Sequence, residues 1–233
     1  MKNKKILFGI IGVIALIVII VVSVLLYRFF KDMDAKNKLI SEINSLNETN
    51  LNTEVTLEGE YGLIEQMVKQ DYKTYYDSIN KLRENYDKLS GLGVLNIQNF
   101  ENDGPEFTTS LDTLNTLKTE NETILATLND LADDAKIDEK LANSNLSEEN
   151  KKLYKEIINQ LKLKDGVANI KESDTKFSTY LASLIDVLTY LKDNKNEWFI
   201  ENGALKSKSQ TFIDEYNKKI QDIGGMETVE GQN

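Results

Sequence analysis

The chain has no cysteine and no histidine among its 233 residues. Disulfides, thiolate or imidazole zinc sites, haem bound through histidine, cysteine nucleophiles and Ser-His-Asp triads are therefore excluded. Because no disulfide can staple the fold, we expect a hydrophobic core large enough to stabilise it alone. We accordingly predict a protein that is not an enzyme, with no cofactor, no metal site and no catalytic residue.

Proline is almost absent, since Pro105 is the only one in the chain. Proline interrupts helices, so its scarcity favours long helices. We predict an all-α fold with an N-terminal transmembrane helix, a bundle of about five further helices, and a small β-hairpin near residues 198–206.

Charge is absent from the 22 residues that run from Ile6 to Tyr27. At 1.5 Å per residue they would form a helix of about 33 Å, long enough to cross a hydrocarbon core of roughly 30 Å. A cleaved signal peptide would have a shorter apolar run, ending in small residues. We therefore predict an uncleaved membrane anchor that contacts lipid. The residues predicted to form this anchor include Ile6, Gly9, Gly12, Leu16, Val21, Leu26 and Tyr27.

Basic residues flank both ends of this run. They are Lys2, Lys4 and Lys5 before it, and Arg28, Lys31, Lys36 and Lys38 after it. The positive-inside rule favours a cytoplasmic N-terminal tail, although the second group competes. We predict a cell-membrane protein whose bulk is extracytoplasmic. Its expected parts are a tail (1–5), the transmembrane helix (6–27), a helical stalk (28–52), an acidic helical bundle (53–225) and a flexible tail (226–233).

Acidic residues outnumber basic ones by 38 to 28, and five of the basic residues precede residue 32. Residues 32–233 therefore carry 23 basic and 38 acidic side chains, a net charge of −15. Such a surface repels phosphate backbones, so we expect no nucleic-acid partner. The many Asn, Lys and Ile residues are typical of an AT-rich bacterial genome.

Apolar residues recur at helical spacing through the rest of the chain. A heptad seam on a helix over about 57–90 comprises Val68, Tyr72, Tyr75, Ile79, Leu82, Tyr86 and Leu89. Gly91 and Gly93 are predicted to end that helix. Pro105 is predicted at the first position of the next helix, whose apolar stripe extends from Phe107 to Ala135.

Three more helices are predicted towards the C-terminus. One begins after Ser147 and ends at Lys164-Asp165-Gly166. The next covers about 169–193, and its stripe is the most apolar, so we expect it at the centre of the core. Ser207 and Gln210 match a capping box for the last helix, which Gly224-Gly225 should end.

A change of period near residue 198 predicts the hairpin, because Asn202-Gly203 readily forms a type I′ turn. Trp198, Phe199, Asn202 and Gly203 are candidate partner-binding residues, since aromatic side chains such as that of the lone Trp198 often anchor interfaces. The alternative for Trp198 is that its ring packs the hairpin onto the helices.

Other polar and aromatic groups favour structural roles. The tyrosines at 72, 75, 76 and 86 have core spacing, although they could form a stacking platform. The acidic pairs Asp133-Asp134 and Glu148-Glu149 lie in polar runs, which favours solvated surface over acid–base catalysis. A calcium loop would need closely spaced oxygen donors, and the nearest approach to one is Asn99, Glu101, Asn102 and Asp103.

These observations favour a single-pass, membrane-anchored, non-enzymatic envelope protein whose helical domain is a protein-interaction or assembly module. The expected partners are membrane lipid and either another protein or a second copy of the chain. An alternative from a different class is an extracytoplasmic ligand-binding bundle that acts as a sensor through a partner. A small-molecule ligand is possible under that alternative, and no motif supports one.

Overall fold

The structure is a computed structural model of the chain. It describes the backbone of residues 2–48 and 51–227, and the side chains of residues 21–48 and 51–223. This described part contains eight helices and one two-stranded hairpin. In chain order they are α1 (Lys2–Asn44), α2 (Gly59–Gly91), α3 (Ile97–Asn102), α4 (Thr108–Ala132), α5 (Asp134–Ala142), α6 (Glu148–Gln160), α7 (Leu163–Asp193), β1 (Trp198–Glu201), β2 (Ala204–Ser207) and α8 (Gln210–Glu227).

The predicted transmembrane run falls on α1. Among the residues that the structure describes, no helix combines the length and apolar content needed to cross a membrane. Four of the predicted anchor residues have side chains outside the described part: Ile6, Gly9, Gly12 and Leu16. Three are described, and they are exposed: Val21, Leu26 and Tyr27. Of the predicted C-terminal tail, 226–233, all side chains lie outside the described part.

The chain divides into two compact units. Unit 1 comprises Met1–Lys73 and Ser144–Ile158, and unit 2 comprises Thr74–Asn143 and Asn159–Asn233. Unit 1 draws its buried apolar side chains mainly from α1, α2 and α6. They include Leu39, Ile43, Ile64, Val68, Tyr72, Leu153, Tyr154, Ile157 and Ile158. The range predicted as a stalk is thus helical as far as Asn44, and its last turns contribute buried residues to this unit.

An irregular segment, residues 51–58, leads from α1 to α2, and we call it the strap. It passes very close to the first turn of α2. A Cβ atom on Gly62 would lie 2.4 Å from the backbone oxygen of Leu57. Glycine at position 62 is therefore required by the close approach of the strap.

Replacing Gly62 by alanine is expected to destabilise the protein by about 1–3 kcal/mol, because the strap backbone must move away from the new methyl group. Alanine normally favours a helix over glycine, so the matched change Gly91→Ala, where the methyl group meets nothing within 4 Å, should stabilise by up to about 1 kcal/mol. Urea denaturation of the two full-length variants in detergent, followed by circular dichroism, measures both effects. Equal changes in the free energy of unfolding for the two variants would contradict the close approach of the strap to Gly62.

Unit 2 has its core around α7, which packs against α4 and α8. Five side chains in the second half of α7 are at most 2% exposed: Leu181, Leu184, Val187, Leu188 and Leu191. They share one apolar cluster with residues of α4 and α8, among them Leu114, Leu117 and Phe212. The prediction that the helix over 169–193 is central to the core is confirmed.

The mainly helical fold and the C-terminal hairpin are confirmed, while several boundaries differ from the predictions. Pro105 does not begin a helix, because α4 starts at Thr108. The carboxylate of Asp103 accepts the N–H groups of Thr109 and Ser110 in the first turn of α4. The stripe predicted to reach Ala135 ends earlier, since Asp133 caps a separate helix, α5, and Ala135 is exposed.

Glycine residues account for two further errors. The sequence Lys164-Asp165-Gly166 does not end a helix, because the break between α6 and α7 comes at Lys162, which has a positive φ of 52°. Gly166 lies inside α7, where a Cβ atom would be 2.0 Å from the hydroxyl of Tyr75. Gly224-Gly225 does not end α8, which continues to Glu227.

The start of α8 also differs from the prediction. Ser207 is the last residue of β2, and the hydroxyl of Ser209 accepts the N–H of Phe212 at 3.3 Å. Ser209 therefore caps α8 in the place predicted for Ser207. A short helix, α3, lies between Gly93 and Pro105, where no helix was predicted, and the side chain of Asn96 caps it.

Candidate functional site

The hairpin in unit 2 contains all four predicted partner-binding residues. Asn202 and Gly203 have φ angles of 54° and 70°, which suits the two central residues of a type I′ turn. The strands pair in the register Trp198 with Ser207 and Glu201 with Ala204. The turn therefore lies at an exposed tip, in the place that the Asn-Gly pair predicts.

Trp198 lies on the inner face of this hairpin. Its indole N–H donates to the backbone oxygen of Leu191 at 2.7 Å. Its ring stacks on Phe107 with 5.9 Å between centroids, and lies 6.3 Å from the ring of Phe100. The indole thus joins the hairpin to α7 and to the residues that flank α4.

Phe199 lies on the opposite face, because successive side chains of a strand alternate. It is 41% exposed, and Asn202 and Gly203 are exposed as well. Three of the four predicted residues are therefore exposed, and we call them together the hairpin tip: Phe199, Asn202 and Gly203. Trp198 supports this surface from behind.

The tyrosines at 72, 75, 76 and 86 are buried or half-buried. Tyr72 is buried, and Tyr75 meets Tyr76 edge to face at 5.2 Å. Tyr86 packs on Phe177 with 4.2 Å between ring centroids. Burial, and then the nearby carboxylate of Asp174, raise the pKa of Tyr86 to about 12. These contacts match the structural interpretation of the tyrosines.

The acidic side chains singled out from the sequence make local contacts. Asp133 caps α5, and Asp134 pairs with Lys164. Glu148 pairs with Lys151, and this pairing lowers the pKa of Glu148. Among the described residues, no three acidic side chains are grouped so that they could hold a metal ion.

A buried polar network in unit 2 was not predicted. The amide of Asn85 donates to the side-chain oxygen of Asn121 at 3.3 Å, and the amide of Asn121 donates to the carboxylate of Asp174. Ser178 donates its hydroxyl to the other carboxylate oxygen at 2.9 Å. Asn85, Asn121 and Asp174 are all less than 5% exposed. We call these four residues the polar network.

The polar network has a detectable sequence signal. In α4 and α7 one member stands at a stripe position where the spacing calls for an apolar residue, and in α2 Asn85 lies next to the seam residue Tyr86. Asn85 lies between Leu82 and Leu89, and Asn121 lies between Leu117 and Ile124. A polar residue at such a position lowers stability and fixes how helices align.

Burial raises the pKa of Asp174, and the hydrogen bonds from Ser178 and Asn121 oppose this shift only in part. A carboxyl whose pKa is raised by folding stabilises the fold fully below its unfolded pKa, and this contribution is lost as the pH rises through its folded pKa. Where Asp174 is ionised, it therefore weakens unit 2.

The substitution Asp174→Asn is expected to stabilise the protein by about 1 kcal/mol at pH 7, because a neutral amide replaces a buried charge and can still bond to Asn121 and Ser178. The advantage should shrink as the pH falls through the raised pKa of Asp174, because the carboxyl itself then becomes neutral. Asp186→Asn on the same helix, where the carboxylate is 59% exposed and pairs with Lys219, should change stability by less than about 0.5 kcal/mol. Thermal unfolding at pH 4 and pH 7 measures both, and a destabilised Asp174→Asn protein at pH 7 would contradict the electrostatic argument.

Asn85 also lines a surface groove between α2 and α4 with a volume of about 340 Å³. Both charge signs occur along it, with Lys81, Lys88, Glu84 and Glu120 at its edges. The groove is open to solvent, and Thr119, Thr123 and Ile124 complete its lining. It could hold a small ligand that has both a cationic and an anionic group.

A second buried cluster lies in unit 1 and centres on the ion pair of Glu65 and Lys69, 2.7 Å apart. Their side chains are 0% and 1% exposed. Glu65 also accepts the N–H groups of Thr56 and Leu57 at 3.0 and 2.9 Å. Lys69 donates to the backbone oxygen of Glu54 at 2.7 Å. We call this ion pair and its bonds to the strap the clasp.

Lys69 extends the clasp to α1, because its ammonium lies 3.3 Å from the carboxylate of Glu42. Burial opposes the charged forms of both partners. Hydrogen bonds from Lys69 and the strap nevertheless lower the pKa of Glu65, and those to Glu65 and Glu42 raise the pKa of Lys69. The charged groups of the clasp bond to one another, to Glu42 and to the strap backbone, so the clasp connects α1, the strap and α2.

Comparison with known proteins adds no name to these sites, since no protein-family model, no curated protein and no solved structure matches the chain.

Proposed function

We propose that the protein is a single-pass, membrane-anchored helical module of the cell envelope that binds another protein or a second copy of itself, without catalysing a reaction. The observation that carries the proposal is the apolar surface of α1. Its members lie on successive turns and are 45–67% exposed: Val21, Val22, Val24, Leu25, Leu26, Tyr27, Phe29 and Phe30. At 100° per residue they point to all sides of the helix.

A helix that is apolar all round is stable when its surroundings are apolar. Lipid is the partner that fits, since the same helix continues from an uncharged run that starts at Ile6. Phe29 and Phe30 together with Arg28 and Lys31 have the composition of an aromatic and basic belt at a membrane surface.

The interaction role is supported by two features outside α1. The net charge of −15 over residues 32–233 keeps the folded part soluble and selects against anionic partners. The hairpin tip displays an exposed aromatic ring, Phe199, on a rigid turn that Trp198 fixes to the core. Rigid exposed aromatic rings are frequent anchors of protein interfaces.

Alkaline carbonate extraction of native membranes tests the anchor. The full chain should stay in the membrane pellet, whereas the double variant Val21→Asp/Leu25→Asp should be largely extracted, because each charge in the apolar run costs about 2.5–3.5 kcal/mol. Phe199→Asp is the control and should remain in the pellet. Complete extraction of the unaltered chain would overturn the anchor.

Crosslinking in intact cells tests the interaction role. The unaltered chain should give one discrete product larger than the monomer, and Phe199→Asp should reduce that product about tenfold, equivalent to 1.4 kcal/mol. Asp193→Ala, a change at another exposed site of unit 2, should leave it unchanged. A chain that remains monomeric at all crosslinker concentrations would overturn the proposed role.

The ligand-binding alternative has one supporting observation, which is the groove over Asn85. A bundle that senses a ligand there should be stabilised by a zwitterionic molecule such as a free amino acid. Isothermal titration calorimetry of the purified chain against the common amino acids distinguishes the two functions, since an interaction module gives no heat of binding.

A further inference from the structure

The first part of α2 runs parallel to the last part of α1, in a defined register. The hydroxyl of Tyr61 bonds to Asp32, and Lys69 pairs with Glu42. Further along, the hydroxyl of Tyr72 donates to the backbone oxygen of Leu46 at 3.5 Å. Residue numbers increase together along both helices, so the start of α2 lies beside Asp32.

The strap makes this arrangement possible. The chain leaves α1 after Asn44, beside the middle of α2, and it enters α2 again at Gly59, beside Asp32. The strap therefore returns the chain along α1 towards the membrane anchor. The clasp holds it in this path, since Glu65 and Lys69 bind the backbone of residues 54–57.

The register sets the height of unit 1 above the membrane. If the anchor ends at Tyr27, Asp32 lies five residues, or about 7.5 Å, beyond the hydrocarbon core. The headgroup region of one leaflet is about 5–7 Å thick. Tyr61, and with it the first turn of α2, therefore lies at the outer edge of the headgroups.

We propose that residues 57–63, which form the base of unit 1, rest on the lipid headgroup layer. This inference depends on the proposed membrane anchor. It replaces the extended stalk expected for residues 28–52, which would hold the folded domain some 25 Å from the lipid if α1 stood alone as far as Asn44.

Zwitterionic phospholipid is the partner that fits this base. Asp32, Glu58 and Glu60 bring carboxylates to this level, and they match the ammonium groups of such lipids. Tyr61 and the partly exposed Leu63 supply an interfacial ring and an apolar contact. The N–H of Ser147 donates to the carboxylate of Glu60 at 2.7 Å, which brings the start of α6 to the same level.

The absence of cysteine allows a direct test by single-cysteine labelling of the full chain. Fluorescent probes are placed at Leu63→Cys and Gln70→Cys, in phosphatidylcholine vesicles that carry a nitroxide on the lipid headgroup. The two positions lie on the same face of α2, two turns and about 10.5 Å apart, so the probe at 63 should be quenched at least about twofold more strongly. A third probe at Glu58→Cys, on the exposed end of the strap, gives an independent reading of the same level.

A probe at Leu26→Cys, read with a nitroxide on the lipid acyl chain, tests the anchor in the same vesicles. If position 26 is quenched while positions 58 and 63 are no more quenched than 70, the anchor stands and the contact with headgroups is overturned. If position 26 is not quenched, the anchor itself is overturned, and the inference with it. Strong quenching at 26, 58 and 63 with little at 70 is the expected result.

Discussion

Replacing Lys69 by methionine is expected to lower the free energy of unfolding by about 3–5 kcal/mol, because it leaves the buried carboxylate of Glu65 without a counter-charge. The carboxylate is inaccessible to water, with 0% of its side chain exposed. Its bonds to Thr56 and Leu57 remain, but two neutral N–H groups do not replace an ammonium. The variant also loses the bond that holds the backbone oxygen of Glu54.

The change is measured by urea denaturation of the full chain in detergent, followed by circular dichroism. Lys38→Met is the matched control, since Lys38 also pairs with an acid four residues away in sequence, Asp34. That pair is 63% and 65% exposed, and exposed pairs of this kind contribute less than about 0.5 kcal/mol. Similar midpoints for the two variants would show that the clasp does not stabilise unit 1.

The pH dependence of the same variants has a defined sign. The pKa of Glu65 is lowered from 4.5, so its contribution is present above the unfolded pKa and is lost as the pH falls through the folded value. The pKa of Lys69 is raised from 10.5, so its contribution is lost as the pH rises through its folded value. The difference in the free energy of unfolding between the unaltered chain and Lys69→Met should therefore be largest near neutral pH and should become smaller in acid.

Local patterns in the sequence were sufficient to predict most of the helices and the hairpin. The seam from Val68 to Leu89 is buried or half-buried at each of its positions, because helical periodicity alone decides which residues share a face. Asn202-Gly203 forms the predicted turn, since the positive φ angles depend only on those two residues.

Errors arose where a residue's role depends on a distant part of the chain. Gly166 is indistinguishable in sequence from a glycine that ends a helix, yet the hydroxyl of Tyr75 is what requires it. Gly62 is required in the same way by the strap. At each of these two positions a tertiary contact requires glycine, and local sequence propensity cannot predict that contact.

The buried polar groups show the same limit. Asn121 and Asp174 each interrupt an apolar stripe, so the burial of these two residues could be inferred from spacing, whereas Asn85 lies beside the seam of α2. Their contact with one another could not be inferred, because it depends on how three helices align. Glu65 and Lys69 are four residues apart, like many exposed pairs, and only the strap above them excludes water.

Replacing Trp198 by alanine is expected to cost about 3 kcal/mol of stability, close to the lower limit for removing a large core aromatic residue. The indole stacks on Phe107 and donates to the backbone oxygen of Leu191, so its loss leaves both a cavity and an unpaired acceptor. Because the hairpin has only two short strands, its order depends on this packing. Urea denaturation measures the loss, and hydrogen exchange at the amides of residues 198–207 should accelerate beyond the change in global stability.

Phe199→Ala separates the two roles weighed for this hairpin. Phe199 is the next residue along the same strand, faces outward, and is 41% exposed, so its removal should cost less than about 1 kcal/mol. It should nevertheless reduce the crosslinked product as Phe199→Asp does, since both remove the ring from the hairpin tip. If Trp198→Ala proved harmless while Phe199→Ala unfolded the hairpin, the assignment of inner and outer faces would be reversed. If Phe199→Ala left both stability and crosslinking unchanged, the interface would have to lie elsewhere on the acidic surface.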